Sequence, residues 1–169
     1  MIRLFVLIIL FCYSTVAFAI DKEKFCKIIK NYQDKSFQTS NGLKLQQLRR
    51  KRKKDLSSLK SKAFEWKGKI AAIDSVGSEY AYVSVRICED TFVKTWNNEF
   101  SDMTSKTLIH IDSKMFDQLI EFIEGDEVKC SGTFSSSKED YFLETSMTEK
   151  GSLLEPEFLV KFSSFEKVN

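Results

Sequence analysis

The sequence predicts an α+β protein in which N-terminal helices precede a small five-stranded β-barrel, with one helix between the third and fourth strands. Apolar residues recur at helical spacing in residues 20–62 and alternate with polar residues from Phe64 onward. A single proline and 30% charged residues are typical of a folded chain. The 15 phenylalanines supply the apolar volume that one core of this size needs.

Residues 1–19 have the three parts of a cleavable secretory signal peptide. Arg3 supplies the positive charge, Leu4–Phe11 supplies the apolar segment, and Ala17-Phe18-Ala19 is an A-x-A cleavage site. The alternative is a retained membrane anchor, but the uncharged stretch is near the lower length limit of a spanning helix. We therefore predict an exported protein, periplasmic or secreted, whose mature form begins at Ile20.

Charge divides the mature chain into two parts. Residues 20–62 contain 14 Lys and Arg against 4 Asp and Glu, a net charge of +10, whereas residues 63–169 contain 11 against 20, a net charge of −9. The basic segment predicts two helices with a break at Thr39–Gly42, where Asn41 is a suitable N-cap for the second helix. The second helix carries the consecutive cations Arg49–Lys54.

Three strands are predicted to open the barrel domain, residues 63–169. Phe64–Ile73 alternates in polarity and has Gly68 at its middle, where a barrel strand bends. Tyr80–Cys88 is the clearest strand, because every second residue from Ala81 to Ile87 is apolar. Thr91–Trp96 follows after a tight turn.

A loop, a helix and further strands are predicted to follow the third strand. A polar loop, Asn97–Ser105, and a short extended piece, Thr107–Ile111, lead to a helix that Ser113 caps and Gly125 ends. The later strands are Glu127–Phe134, the hairpin return Tyr141–Ser146, and Phe158–Phe162. Three strands, a helix and further strands are the order of the oligonucleotide/oligosaccharide-binding (OB) fold.

Several short motifs resemble those of a group of small, little-characterised exported bacterial proteins with an OB-like fold. The motifs are Trp66-Lys67-Gly68, Lys94-Thr95-Trp96-Asn97-Asn98, Gly125-Asp126, Ser131-Gly132-Thr133-Phe134, Ser146-Met147-Thr148-Glu149 and Glu155-Pro156-Glu157-Phe158. The resemblance covers Phe64–Phe165 and implies the fold and an exported location. It implies no catalytic residues, because none are established in that group.

Catalytic and metal-binding motifs are absent from the sequence. His110 is the single histidine and lies in an apolar run, where a surface or core-edge position is favoured over a general base. There is no CxxC, HExxH, EF-hand loop or glycine-rich phosphate loop. The sequence therefore predicts no catalytic residue, metal site or cofactor, although a carboxylate pair assembled by folding stays open as a hydrolase alternative.

The three mature cysteines, Cys26, Cys88 and Cys130, allow at most one internal disulfide. Strand alternation places Cys130 with Val128 on the inner face and Cys88 on the outer face. Since bridged Cβ atoms must lie about 4 Å apart, a Cys88–Cys130 bridge is not expected.

Two surfaces are candidates for binding. The first is an anion site on the basic helix for anionic lipid, nucleic acid or glycan; the alternative is a helix face that is solvated or that pairs with the acidic barrel. Its residues are Arg49, Arg50, Arg52 and Lys53. If these charges are solvated, replacing all four with Gln should leave the melting temperature within a few degrees.

The second candidate is a ligand face on the outside of the second and third strands, where OB folds bind their ligands. Its aromatic and cationic residues suit stacking on sugars or bases. They are Tyr80, Tyr82, Arg86, Phe92, Lys94, Trp96 and Asn97. The alternative is that the N-terminal helices cover this face.

The function expected from these features is a non-enzymatic envelope module that binds a protein or glycan partner. A nucleic-acid-binding OB protein is disfavoured because the barrel's charge of −9 repels phosphates. An anionic membrane surface is a further possible partner of the basic helix.

Overall fold

The computed structural model describes residues 19–168, so the predicted signal peptide lies outside the described residues except for Ala19. Two long helices precede a sheet that is interrupted by three short helices. The elements are α1 (Lys22–Phe37), α2 (Gly42–Ser57), β1 (Ala63–Val76), β2 (Tyr80–Cys88), β3 (Thr91–Lys94), α3 (Glu99–Asp102), β4 (Ile109–His110), α4 (Lys114–Leu119), β5 (Glu127–Phe134), β6 (Ser136–Ser137), β7 (Tyr141–Phe142), α5 (Glu149–Leu154) and β8 (Glu157–Lys167). Between residues 19 and 168, no helix has the length and apolarity needed to cross a membrane.

Side-chain caps fix the starts of the two long helices. The carboxylate of Asp21 accepts a hydrogen bond from the Lys24 amide at 2.7 Å, and Asn41 caps α2 as predicted, accepting from the Leu43 and Lys44 amides. Both helices then pack through a narrow apolar stripe. The α+β class and the two N-terminal helices are confirmed.

The principal sheet has six strands in the order β1-β5-β8-β3-β2-β4, and β1 also pairs with β2. All pairs are antiparallel except β3 with β8, which run parallel. β1 bends where its register with β2 shifts between Ile70 and Ala72. Gly68 precedes this shift, and a Cβ there would lie 2.6 Å from Val85 Cγ1 and 2.8 Å from the Arg86 carbonyl oxygen.

Several boundaries differ from those predicted. The hairpin return is limited to β7, since Tyr141 adopts φ +74° and pairing beyond Phe142 is reduced to one bridge from Glu144 to Phe158. The predicted polar loop Asn97–Ser105 contains α3, and α5 was not predicted, because helices this short show little periodicity. The last strand continues to Lys167.

An aromatic core joins α1 to the inner face of the sheet. The ring of Phe25 lies 5.0 Å from Trp66, 5.5 Å from Phe134 and 5.5 Å from Phe158, measured between centroids. Leu119 of α4 belongs to the same buried cluster.

A disulfide between Cys26 and Cys88 ties α1 to the end of β2. Cys130 is free and fully buried, as strand alternation predicts. Cys88 therefore has its partner on a helix and not on a neighbouring strand of the sheet.

Candidate functional site

The outer side of β2 and β3 has the alternation that the sequence predicts. Val83, Val85 and Val93 are completely buried on the inner side. On the outer side five predicted ligand-face residues are half-buried and two are exposed. The half-buried residues are Tyr80, Tyr82, Phe92, Lys94 and Trp96, and the exposed residues are Arg86 and Asn97.

The two N-terminal helices pack elsewhere, so this face stays partly open. Their main contacts are with each other, with α5 and, for α2, with β7. α1 reaches the sheet through Phe25 on the inner side and through the disulfide at Cys88.

Internal contacts engage two of the predicted ligand-face residues. Lys94 forms an ion pair with Glu157 of the neighbouring strand β8. The Trp96 indole N–H donates to Ser105 Oγ at 3.3 Å, and the Trp96 amide donates to Thr107 Oγ1 at 3.0 Å. Both side chains are thus fixed in place, and the ring of Trp96 is held against the segment that follows β3.

The two ends of the face lie in different clefts. Arg86 borders a cleft of about 430 Å³ together with Lys67 and Lys69. Tyr80 lies at the other end, in a larger cleft of about 700 Å³. We call this larger space the Tyr80 cleft; it is lined by Tyr80, Glu99, Phe100, Asp102, Met103, Lys106, Leu108 and His110.

The Tyr80 cleft combines exposed apolar side chains with a few polar groups. Phe100 is 85% exposed and Met103 is 72% exposed, although both are large apolar residues. The Tyr80 ring meets the His110 ring edge-on, with centroids 5.3 Å apart and an interplanar angle of 85°. Glu99 and Lys106 add one charge of each sign at the rim.

A buried carboxylate holds the wall of the Tyr80 cleft. Asp102 is only 7% exposed and accepts hydrogen bonds from the Thr107 amide at 2.7 Å, the Thr107 hydroxyl at 2.6 Å and the Leu108 amide at 3.0 Å. Asn98 caps α3 by accepting from the Ser101 amide at 2.8 Å. These bonds close the segment into a fixed turn that presents Phe100 and Met103 outward.

Sequence reasoning identified Tyr80 but missed the rest of this cleft. Residues 97–105 were expected to form a polar loop, and Phe100 and Met103 were not singled out. Their spacing of three residues after a capping asparagine is the signal that indicates α3 and its apolar side.

The basic run of α2 is divided between internal contacts and solvent. Arg49 makes a two-bond contact with the Asp140 carboxylate, with Nε donating to Oδ1 at 2.6 Å. Arg52 is 0% exposed, donates to the Ser152 carbonyl, and lies 3.3 Å from Asp140 Oδ1. Lys53 donates to the Lys138 carbonyl.

The expectation that the four cations are solvated is therefore wrong for Arg52 and Arg49. Burial lowers the pKa of Arg52, while the hydrogen bond that Arg49 donates to Asp140 raises the pKa of Arg49. The Arg52 guanidinium also lies over the Phe158 ring, 5.7 Å from its centroid. Of the four predicted anion-site residues, Arg50 is exposed, Arg49 and Lys53 are half-buried, and Arg52 is buried.

Cys130 and His110 are the described side chains that the sequence analysis weighed as catalytic groups. Burial raises the pKa of the Cys130 thiol from 9.0 to about 12, so the thiol is protonated at neutral pH and is not a nucleophile. His110 Nδ1 accepts from the Asp112 amide at 3.2 Å. Within the described residues, no three His, Cys, Asp or Glu side chains are arranged to hold a metal ion.

No protein-family model matches the chain, and no curated protein sequence shows significant similarity to it. Function must therefore be argued from the geometry of these surfaces.

Proposed function

We propose that the protein is a non-enzymatic, exported binding module with an OB-type barrel, which holds a partner in the Tyr80 cleft and along the adjoining outer face of β2 and β3. The observation that carries this proposal is the exposure of Phe100 and Met103 on a wall fixed by the buried Asp102. Large apolar side chains held rigidly in solvent are typical of binding surfaces.

The strand pairing supports the barrel. β1 pairs with β2, β2 with β3, β3 with β8, β8 with β5, and β5 with β1. This cycle of pairings returns to its first strand, and α4 lies in the chain between the third and fourth of these five strands. The Tyr80 cleft then lies at the start of the second strand, next to the outer face of the second and third strands where OB folds bind their ligands.

Two features support export. Ile20, the residue after the predicted cleavage site, packs into the fold: it is 4% exposed, its amide donates to the Ala63 carbonyl at 2.8 Å, and its carbonyl accepts from Trp66 Nε1. The Cys26–Cys88 disulfide suits an oxidising compartment.

A protein partner is favoured over a glycan. The cleft wall is built from Phe100, Met103 and Leu108, and methionine adapts to apolar side chains of a partner. A glycan is the second candidate, because Tyr80 offers a ring face and Glu99 and Lys106 offer hydrogen bonds at the rim.

Site-specific photo-cross-linking in the native host tests the proposal. A photoreactive phenylalanine analogue at Phe100 should give a defined adduct, while the same analogue at Ile123, which is 70% exposed on another part of the surface, should give none. Adding Tyr80→Ala should reduce the Phe100 adduct. Equal adducts from both positions, or no adduct from Phe100 together with no binding to envelope glycans, would contradict the proposed site.

A further inference from the structure

The outward side of α2 carries four cations without an ion-pair or hydrogen-bond partner among residues 19–168. They are Lys44, Arg50, Lys51 and Lys54, and all four are exposed. At about 100° per residue they fall within an arc of about 120° on the helix. Arg49, Arg52 and Lys53, by contrast, make internal contacts. Folding therefore divides the cations of α2 into those with internal contacts and those without, and the cations without internal contacts lie on one side of the helix.

Two exposed apolar side chains flank the start of this cationic side. Leu43, at the beginning of α2, is 79% exposed and lies within the same arc. Phe37, the last residue of α1, is 69% exposed. Phe37 and Leu43 lie on either side of the turn between the helices, residues 38–41. The cationic side of α2 therefore begins next to exposed apolar side chains, which we call the apolar tip.

We infer that this surface, defined by Phe37, Leu43, Lys44, Arg50, Lys51 and Lys54, docks the protein on an anionic phospholipid membrane. Cations near such a surface are attracted by its negative potential, and apolar side chains enter the boundary between headgroups and acyl chains. The membrane is favoured over nucleic acid because nucleic-acid phosphates would contact only the cations. A membrane would also bind the apolar side chains of Leu43 and Phe37 at the tip. The surface shares no residue with the Tyr80 cleft, so the two can be tested separately.

Vesicle co-sedimentation tests the charged part of the surface. The protein, purified without detergent, should bind phosphatidylcholine vesicles that contain about a third phosphatidylglycerol, release in high salt, and bind pure phosphatidylcholine weakly. The combined variant Lys44→Gln, Arg50→Gln, Lys51→Gln and Lys54→Gln should lower the partition coefficient by roughly 600-fold, since each of the four cations contributes about five-fold.

A matched control loses the same charge elsewhere. Lys114, Lys150, Lys161 and Lys167 are exposed and have no ion-pair partner within the described part of the chain. Replacing these four with Gln should change the partition coefficient by less than about five-fold. An equal fall in both variants, with unchanged unfolding curves, would show that net charge and not this surface drives binding, and would overturn the proposal.

Fluorescence tests the apolar tip. The emission of the Leu43→Trp variant should shift to shorter wavelength on vesicles that contain phosphatidylglycerol, whereas that of Met147→Trp should not, although Met147 is 100% exposed. No shift from either variant would overturn membrane docking through this tip. Binding to duplex DNA at the same salt, without binding to vesicles, would overturn it in favour of nucleic acid.

Discussion

Arg52 is a buried cation with a defined role in fixing α2. Its guanidinium joins Asp140 and the Ser152 carbonyl, which lie in different elements, and it covers the Phe158 ring. Replacing Arg52 leaves the buried Ser152 carbonyl without this donor and uncovers part of the Phe158 ring, whereas Asp140 keeps its two hydrogen bonds from Arg49.

Arg52→Gln should lower the free energy of unfolding by about 1–3 kcal/mol, since it removes the donor to the Ser152 carbonyl. Arg50→Gln, on the exposed side of the same helix, should change it by less than about 0.5 kcal/mol. Urea denaturation of both variants measures the difference. Equal, small effects would contradict a role for Arg52 in fixing α2 through the Ser152 carbonyl and the Phe158 ring.

Cys130 should make stability depend on alkaline pH. Burial raises the pKa of this thiol from 9.0 to about 12, so the folded state keeps a proton that the unfolded state loses above pH 9. The thiol's contribution is therefore constant below that pH and falls by about 1.4 kcal/mol per unit as pH rises toward 12.

Urea titrations near neutral pH and at about pH 10.5 should show this loss for the native protein. The Cys130→Ala variant removes the thiol, so the part of the pH dependence that comes from Cys130 should disappear. Burial also raises the pKa of Tyr32, which therefore adds alkaline loss in both proteins and cancels in the comparison. Identical pH dependence in the two proteins would contradict a protonated, buried thiol.

At the scale of elements, two glycines provide opposite tests of backbone packing. Gly68 of β1 lies against β2 so closely that a Cβ would meet Val85 and the Arg86 carbonyl, whereas Gly42 of α2 has no atom within 4 Å of that position. Gly68→Ala should therefore destabilise the protein by about 1–3 kcal/mol. Gly42→Ala should stabilise it by about 0.4–1 kcal/mol, because the unfolded chain loses freedom.

Thermal denaturation of the two glycine variants checks both signs in one experiment. Stabilisation by Gly68→Ala would show that β1 and β2 can separate enough to admit a methyl group. Such a result would contradict the close approach that precedes the bend in β1.

Elements with a long run of regularly spaced apolar residues could be predicted from the sequence. Features that depend on residues distant in the chain could not. Asn41 and the alternation around Val83 identified α2 and β2 because both signals are local. The burial of Arg52 depends on Asp140, which lies 88 residues away in the chain. The Tyr80 cleft likewise depends on contacts that Asp102 makes only after folding, so only Tyr80 was found from strand alternation.

For the whole molecule, the charge division that the sequence shows is partly resolved by folding. The basic segment contacts the acidic domain through Arg49 and Arg52 on Asp140 and through Lys30 on Glu89. The remaining cations of α2 stay on the surface. Counting charged residues along the sequence could not separate the cations that have acidic partners from those on the surface, since adjacent helical positions face different directions.

The Cys26–Cys88 disulfide should be the largest single covalent contribution to stability. It closes a loop with a sequence separation of 62 residues, for which loop-closure entropy gives about 4 kcal/mol. The Cys26→Ala, Cys88→Ala double variant should lose about this much free energy of unfolding. Dithiothreitol should destabilise the native protein similarly and leave the double variant unchanged; a response of the double variant would assign the effect to another cause.

The disulfide also determines what a protease can do to this protein. The exposed lysines and arginine of α2 are cleavage sites for trypsin-like enzymes, and all of them lie between Cys26 and Cys88. A single cut there leaves two polypeptides that remain covalently joined, with Phe25 still packed among the aromatic rings of the sheet. Nicked protein should therefore migrate as one species on a non-reducing gel and as two fragments after reduction. Cleavage in the most exposed basic part of the chain would break the backbone but would release neither fragment.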